Sequence, residues 1–177
     1  MREKFTDLIR SLQNQICAAI EAIDGKQKFI EDRWERADGG GGITRVIANG
    51  NVFEKGGVNT STVHGPVTDA IRTQLKVEGD SFFACGISLV IHPQSPMVPT
   101  VHANWRYFEL YDKDGKVTDC WFGGGADLNP PIPYEEDTAD FHARFRAACM
   151  AHNPTYYERF KKWADDYFFI PHRGVHR

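Results

Sequence analysis

The residues best placed to do chemistry are two histidines, an asparagine, an arginine and a late aspartate. His102, Asn104 and Arg106 alternate, so on a β-strand all three side chains project from one face. His92 ends the preceding strand-like run, and in an antiparallel pair it would share a mouth with His102. Asp127 follows Trp121-Phe122-Gly123-Gly124-Gly125-Ala126. Glycine gives up more backbone freedom on folding than any other residue. A glycine run just after a strand therefore suggests that something approaches the backbone closely. Polar side chains on one strand face need either a wet cleft with a polar ligand or plain exposure to solvent; the pattern leaves both open. Ser88 lies inside a strand-like segment, where the plainer reading is a hydroxyl bonded to a backbone carbonyl. His92, His142 and His172 together offer enough imidazoles for a transition-metal site, with looser spacing than His-Glu-x-x-His.

These side chains need a scaffold, and the periodicity supplies one. Phe5, Leu8, Ile9, Leu12, Ile16, Ala19, Ile20 and Ile23 recur at helical spacing, and Asp24-Gly25 is a stop signal. Residues 30–36 suit a short strand. Asp38 and Gly39–Gly42 read as a flexible loop before a β-branched strand over 43–47, and Asn49-Gly50-Asn51 reads as a tight turn. Residues 66–75 suit a short helix. Strands are predicted over 82–92, 100–111 and 117–122, with Asp112-Lys113-Asp114-Gly115 as a hairpin turn, which implies an antiparallel meander. Helices follow, one from the acids at 135–137 to about 151, then one with Tyr156, Tyr157, Phe160, Trp163, Ala164 and Tyr167 on one face. Trp121 and Phe122 are expected in the core, because aromatic residues on strands usually pack. The class is α+β, an antiparallel sheet flanked by helices.

Composition excludes several functions. With 41% apolar residues and a net charge of -3, the 177-residue chain is an ordinary globular sequence with no basic excess for nucleic acid. Its four cysteines are scattered, which argues against a zinc ribbon or a disulfide scaffold and for a reducing compartment. There is no signal-peptide pattern and no apolar run of membrane-spanning length, so a soluble, cytoplasmic protein is expected. Neither glycine cluster leads into Lys-Ser or Lys-Thr, and Pro130-Pro131 follow Asp127, so phosphate-loop and dinucleotide readings fail. No Gly-x-Ser-x-Gly elbow occurs.

Six blocks carry a more specific signal. They are 39–46, 52–59, 86–93, 99–108, 121–129 and 160–168. In this order they resemble oxygen-dependent coproporphyrinogen III oxidase over nearly the whole chain. The resemblance implies oxidative decarboxylation of two propionates of coproporphyrinogen III to vinyl groups, giving protoporphyrinogen IX in haem biosynthesis with O2 as electron acceptor. It implies His102 as proton donor and Asp127 as the acid acting on the pyrrole nitrogens. Ser88, Asn104, Trp105 and Arg106 are implied to bind substrate, which displaces the plainer reading of Ser88. His92, His142 and His172 are implied ligands of a divalent metal such as manganese in bacterial members, and metal-free activity is also compatible. The family is homodimeric, with no nucleic-acid partner and no membrane insertion. The reading expects residues 1–177 to be a single domain of this type, incomplete at its C-terminus, because a long further segment of the family would follow Arg177. The alternative is a non-catalytic tetrapyrrole-binding or interaction module; a weaker one is a metal-binding protein.

Overall fold

The computed structural model describes residues 1–176. The element order is α1 (Arg2–Asp24), β1 (Ile30–Glu35), β2 (Gly40–Ala48), β3 (Phe53–Pro66), α2 (Asp69–Leu75), β4 (Ser81–Pro93), β5 (Thr100–Tyr111), β6 (Val117–Asn129), α3 (Glu135–Met150), α4 (Tyr156–Phe168), β7 (Phe169–Ile170) and β8 (Val175–His176). It divides into two compact units, Met1–Leu128 and Asn129–Arg177.

The first unit is a six-stranded sheet in the order β1-β2-β3-β4-β5-β6, so every strand lies beside its sequence neighbour. The pairings from β1 to β5 are antiparallel. The predicted three-strand meander is therefore present, within a six-stranded sheet that also takes in the two earlier strand candidates and β3. Alternation along the strands makes two faces. Helix α1 covers one of them, with Ile9 and Cys17 packed into a cluster of Val58, Phe83, Cys85, Ile87, Ile91 and Tyr107. Burying one such aliphatic side chain contributes roughly 1.5–3 kcal/mol. Gln13 sits in the middle of this apolar stripe at 1 % exposure. Its Nε2 donates to the carbonyls of Ile43 (2.9 Å) and Val58 (2.8 Å), and its Oε1 accepts from the Thr60 hydroxyl (3.2 Å). The amide thus ties the helix to two strands. Leu8 and Ile23, expected on the buried stripe, are exposed instead, because Gln13 and not Leu8 lies along the line joining Ile9 to Cys17.

The helix stops where predicted. Gly25 takes a left-handed conformation (φ 68°), and its N–H donates to the Glu21 carbonyl. Asp24 is buried and its carboxylate accepts from the backbone N–H groups of Gln27 (2.9 Å), Val52 (3.0 Å) and Phe53 (3.1 Å). These bonds, the Gln27 one largest, hold its pKa far below the ordinary aspartate range even though burial opposes them. One carboxylate thereby joins the end of α1 to the β2–β3 hairpin. Gly50 at that hairpin has no room for a Cβ beside the Asp24 carboxylate.

Three sequence expectations are corrected. Gly40–Gly42 belong to β2 and are not a loop, because each lies under a neighbouring strand or under the Trp34 ring, where a Cβ would collide. The sixth strand does not stop at Phe122 but runs through the glycines to Asn129. Trp121 stacks on Phe108 at 4.4 Å and joins a second apolar cluster with Val67, Phe82 and Leu110. Phe122 contacts Phe5 and Tyr107 yet remains 56 % exposed, so it is a rim residue and not core.

In the second unit, Glu135, Glu136 and Asp137 occupy the first turn of α3, where the helix dipole favours them. Arg146 pairs with Glu158 (3.0 Å) and lies over the Tyr157 ring (4.3 Å), joining α3 to α4. Of the aromatic stripe on α4 only Tyr157 is buried; Trp163 and Tyr167 are 70 % and 75 % exposed.

Candidate functional site

The sheet face away from α1 carries the chemistry. Register places Ser88 opposite Asn104 and Gly86 opposite Arg106. His102 is opposite Val90, two residues further along β5 and on the same face. Ser88 and Arg106 are exposed, and Asn104 and His102 are partly buried. Strand β6 adds Asp127, whose Oδ1 lies 3.0 Å from His102 Nδ1. An ionised carboxylate can only accept, so Nδ1 carries the proton and Nε2 is the position of the ring that can exchange one. The side chains of this pair are 44 % and 26 % exposed, so they meet solvent or ligand directly. His92 lies at the end of β4 with its ring 6.3 Å from that of His102, edge to face, and its Nδ1 3.5 Å from the Thr100 hydroxyl. The common mouth expected of these two histidines is therefore present.

The glycines of β6 divide by function. A Cβ on Gly123 or Gly125 would meet nothing within 4 Å, so both leave open space above the sheet. Gly124 differs: with φ 151° it lies hard against the Asn104 carbonyl and 2.9 Å from the Trp105 Cα as a Cβ would be placed. Gly124 lets β6 approach β5, and its two neighbours keep the face flat.

The structure does not bring Trp105 to this group. It is opposite Ile87 and so projects from the α1 face, 39 % exposed. His142 and His172 belong to the second unit. His142 Nδ1 is 3.0 Å from the Tyr157 hydroxyl, and His172 is exposed. Within neither unit do three His, Cys, Asp or Glu side chains gather into a metal-sized cluster among the described residues.

Two features escaped the sequence reading. Strand β3 contributes Asn59 and Ser61 to the polar face, opposite Ser88 and Gly86. The alternation is present in Gly57-Val58-Asn59-Thr60-Ser61, where no strand was predicted. The other is buried on the helix side: Glu109, 8 % exposed, accepts from the hydroxyls of Tyr107 (2.6 Å) and Tyr111 and pairs with Arg2 (3.4 Å). Burial pushes the Glu109 pKa up, but the two tyrosine hydrogen bonds and the Arg2 charge outweigh it and hold the carboxyl below its usual range. The Glu109 carboxylate in turn pushes the Tyr107 hydroxyl up. This network fastens the start of α1 to the sheet. Burial raises the thiol pKa of Cys17 and of Cys85, so both are inert packing residues. A cavity of about 560 Å³ also borders α1, beside Ile9, Arg10 and the first three strands.

Residues 4–177 match the family model described as coproporphyrinogen III oxidase. The mitochondrial oxygen-dependent coproporphyrinogen-III oxidase of Rattus norvegicus is 47% identical over 186 residues, covering 100% of this chain and 42% of the relative. The chloroplastic enzyme of Glycine max is 48% identical over 187 residues, covering 100% and 49%. The oxygen-dependent enzyme of Drosophila melanogaster is 48% identical over 186 residues, covering 100% and 47%. The chain thus spans less than half the length of these curated relatives. A family model that matches almost every residue shows that this chain belongs to the coproporphyrinogen III oxidase family.

Proposed function

We propose that the protein is an oxygen-dependent coproporphyrinogen III oxidase that converts two propionates of coproporphyrinogen III to vinyl groups. The observation that carries this reading is the His102–Asp127 pair, 3.0 Å apart, on a glycine-lined polar face with Ser88, Asn104 and Arg106. The substrate is a flexible macrocycle bearing four carboxylates and four pyrrole N–H groups. Gly123 and Gly125 leave it room against the sheet, and Arg106 is the cation for a propionate; a charge-assisted bond of this kind contributes roughly 1.5–3 kcal/mol.

Each half-reaction balances simply. A propionate loses CO2 from its carboxylate carbon and a hydride equivalent from the carbon beside the ring, forming the vinyl C=C. The two electrons pass to O2, which takes up that hydrogen and one proton and leaves as H2O2. Asp127 accepts a pyrrole N–H as a base, which leaves more electron density on the ring and so makes it more oxidisable. His102, protonated on both nitrogens, supplies the proton from Nε2 while Asp127 holds Nδ1–H. A positioned acid or base contributes about 10²–10⁴-fold. Ser88 and Asn104 orient the ring.

His92, His142 and His172 are the proposed ligands of a divalent metal such as manganese; imidazole nitrogen suits Zn, Cu, Fe or Ni, and manganese favours oxygen ligands, so the donor set fits the softer ions better. The Tyr157 hydroxyl on His142 Nδ1 is the kind of partner that orients a ligating histidine. A bound metal would supply Lewis-acid character. Metal analysis of protein purified without added ions tests this, and full activity with an empty site would remove it. The single-domain reading, the homodimer and a cytoplasmic setting belong to the same proposal. Four free thiols favour a reducing compartment, and no helix among the described residues is long and apolar enough to cross a membrane. The relatives' names place them in mitochondria and chloroplasts.

The test is direct. Full-length protein incubated with coproporphyrinogen III in air should yield protoporphyrinogen IX with matching CO2 and H2O2, and nothing under argon. Binding of the substrate without turnover would sink the enzymatic reading.

A further inference from the structure

We infer that Asn59 on β3 is a substrate-binding residue, its side-chain oxygen accepting a pyrrole N–H of the tetrapyrrole. This rests on the functional reading above and extends its site by one strand. Register places Asn59 opposite Ser88, which in turn is opposite Asn104, so three polar side chains form a row across β3, β4 and β5. At 4.7–4.9 Å per strand the row spans about 10 Å. One carboxylate cannot bridge that distance, and a tetrapyrrole can. Gly57, two residues along on the same face, has no side chain, and its missing Cβ would lie 3.5 Å from Asn59 Nδ2. The amide therefore stands beside cleared ground.

The decisive observation is chemical. Asn59 Oδ1 is buried and has no hydrogen-bond partner among the described residues. Buried polar atoms in folded proteins are almost always paired, and one that is not calls for a role. The protein does not use this acceptor to hold itself together. The terminal torsion of asparagine is soft and roughly two-fold, so the amide can present its oxygen to either side. A ligand rich in N–H donors, lying on this face, supplies what is missing. Arg106 answers the anionic rim of such a ligand; Asn59 answers its nitrogen centre.

The experiment uses the full-length protein and the variants Asn59→Ala and Asn59→Leu. Steady-state kinetics with coproporphyrinogen III should show KM raised about tenfold, with kcat within about threefold of wild type. Tm should be unchanged or slightly higher, because an unpaired buried polar atom has been removed. A structural asparagine would behave oppositely, with Tm and kcat falling and KM unmoved, and that result overturns the inference. Asn59→Leu fills the same volume without polar atoms, so it gives the same reading if the alanine variant folds poorly. Failure of the functional reading is separately visible. If wild type does not turn over coproporphyrinogen III, binding of the stable coproporphyrin III is measured by quenching of tryptophan fluorescence. Tight wild-type binding weakened about tenfold by Asn59→Ala then supports the assignment of Asn59 to a tetrapyrrole site; no binding, or equal binding, overturns it.

Discussion

On the α1 side of β4, Phe83, Cys85, Ile87 and Ile91 are all at most 4 % exposed. On the other side of the same strand Ser88 is exposed, and Gly86 has given up its side chain against Arg106. β5 repeats the contrast, with Ala103 and Tyr107 inside and His102, Asn104 and Arg106 across the strand from them. One set of strands thus supports two regimes. The helix face is dry and closely packed, and its polar groups (Gln13, Asp24, Glu109) are all bonded within the protein. The open face leaves polar groups for something else to bond. Stability and chemistry are separated by the period-two alternation of a strand, and mutations on the two faces should therefore fail in different ways.

Asp127→Asn should give the largest effect. The change keeps the size of the side chain and removes the charge that holds His102 Nδ1–H. Turnover of coproporphyrinogen III should fall about 10²–10⁴-fold while the urea midpoint stays put. A comparable loss of stability would break the division between the faces.

Ile87→Ala is the mirror test. Ile87 is 1 % exposed on the helix face, directly behind the polar row. Truncating a core isoleucine typically costs about 2–5 kcal/mol. Denaturant unfolding should register that loss, and specific activity per folded molecule should remain within about threefold of wild type.

The glycine run sharpens the comparison within a single strand. Gly124→Ala places a Cβ against the Asn104 carbonyl at a backbone angle that L residues rarely adopt, a strain of order 1–3 kcal/mol. Gly123→Ala meets open space and has an ordinary backbone angle, so stability should hold or rise by up to about 1 kcal/mol. Its penalty should appear in KM instead, because the added methyl group stands where the proposed substrate would lie. If the two variants behaved alike, the glycines would share one role.

How far the sequence revealed this division depends on which signal each residue leaves. The helix, the hairpin turns and the alternation His102-Asn104-Arg106 were legible because local periodicity and turn chemistry set them. The faces themselves were only half legible. Gly40–Gly42 looked like a loop because local propensity does not show the Trp34 ring or the neighbouring strands that demand glycine there. Trp105 was implied as a substrate contact by the family resemblance alone, and strand alternation sends its side chain to the other side. The alternation around Asn59 marks a strand, but its place beside Ser88 arises from register, which is long-range information. Glu109 is similar, since a carboxylate flanked by tyrosines at i−2 and i+2 reads as surface until Arg2 arrives from the far end of the unit.

The smallest effect should come from Asp24, and only through pH. Its carboxylate holds α1 to the β2–β3 hairpin, on the helix side and away from the polar face. The folded protein depresses its pKa below the ordinary value of 3.8, chiefly through the Gln27 N–H and then those of Val52 and Phe53. The unfolded chain therefore takes up the proton at a higher pH than the folded one. The stabilisation is fully present above about pH 4, fades as the pH falls below that, and is gone once the pH passes under the folded pKa. Asp24→Asn retains one acceptor and loses the charge. Its Tm should lie a few degrees below wild type at pH 7, and the gap should narrow steadily below about pH 4. Activity at neutral pH should be unchanged. A gap that stayed constant down to pH 2 would mean that the charge of Asp24 contributes nothing, and that the helix is held by Gln13 and apolar packing alone.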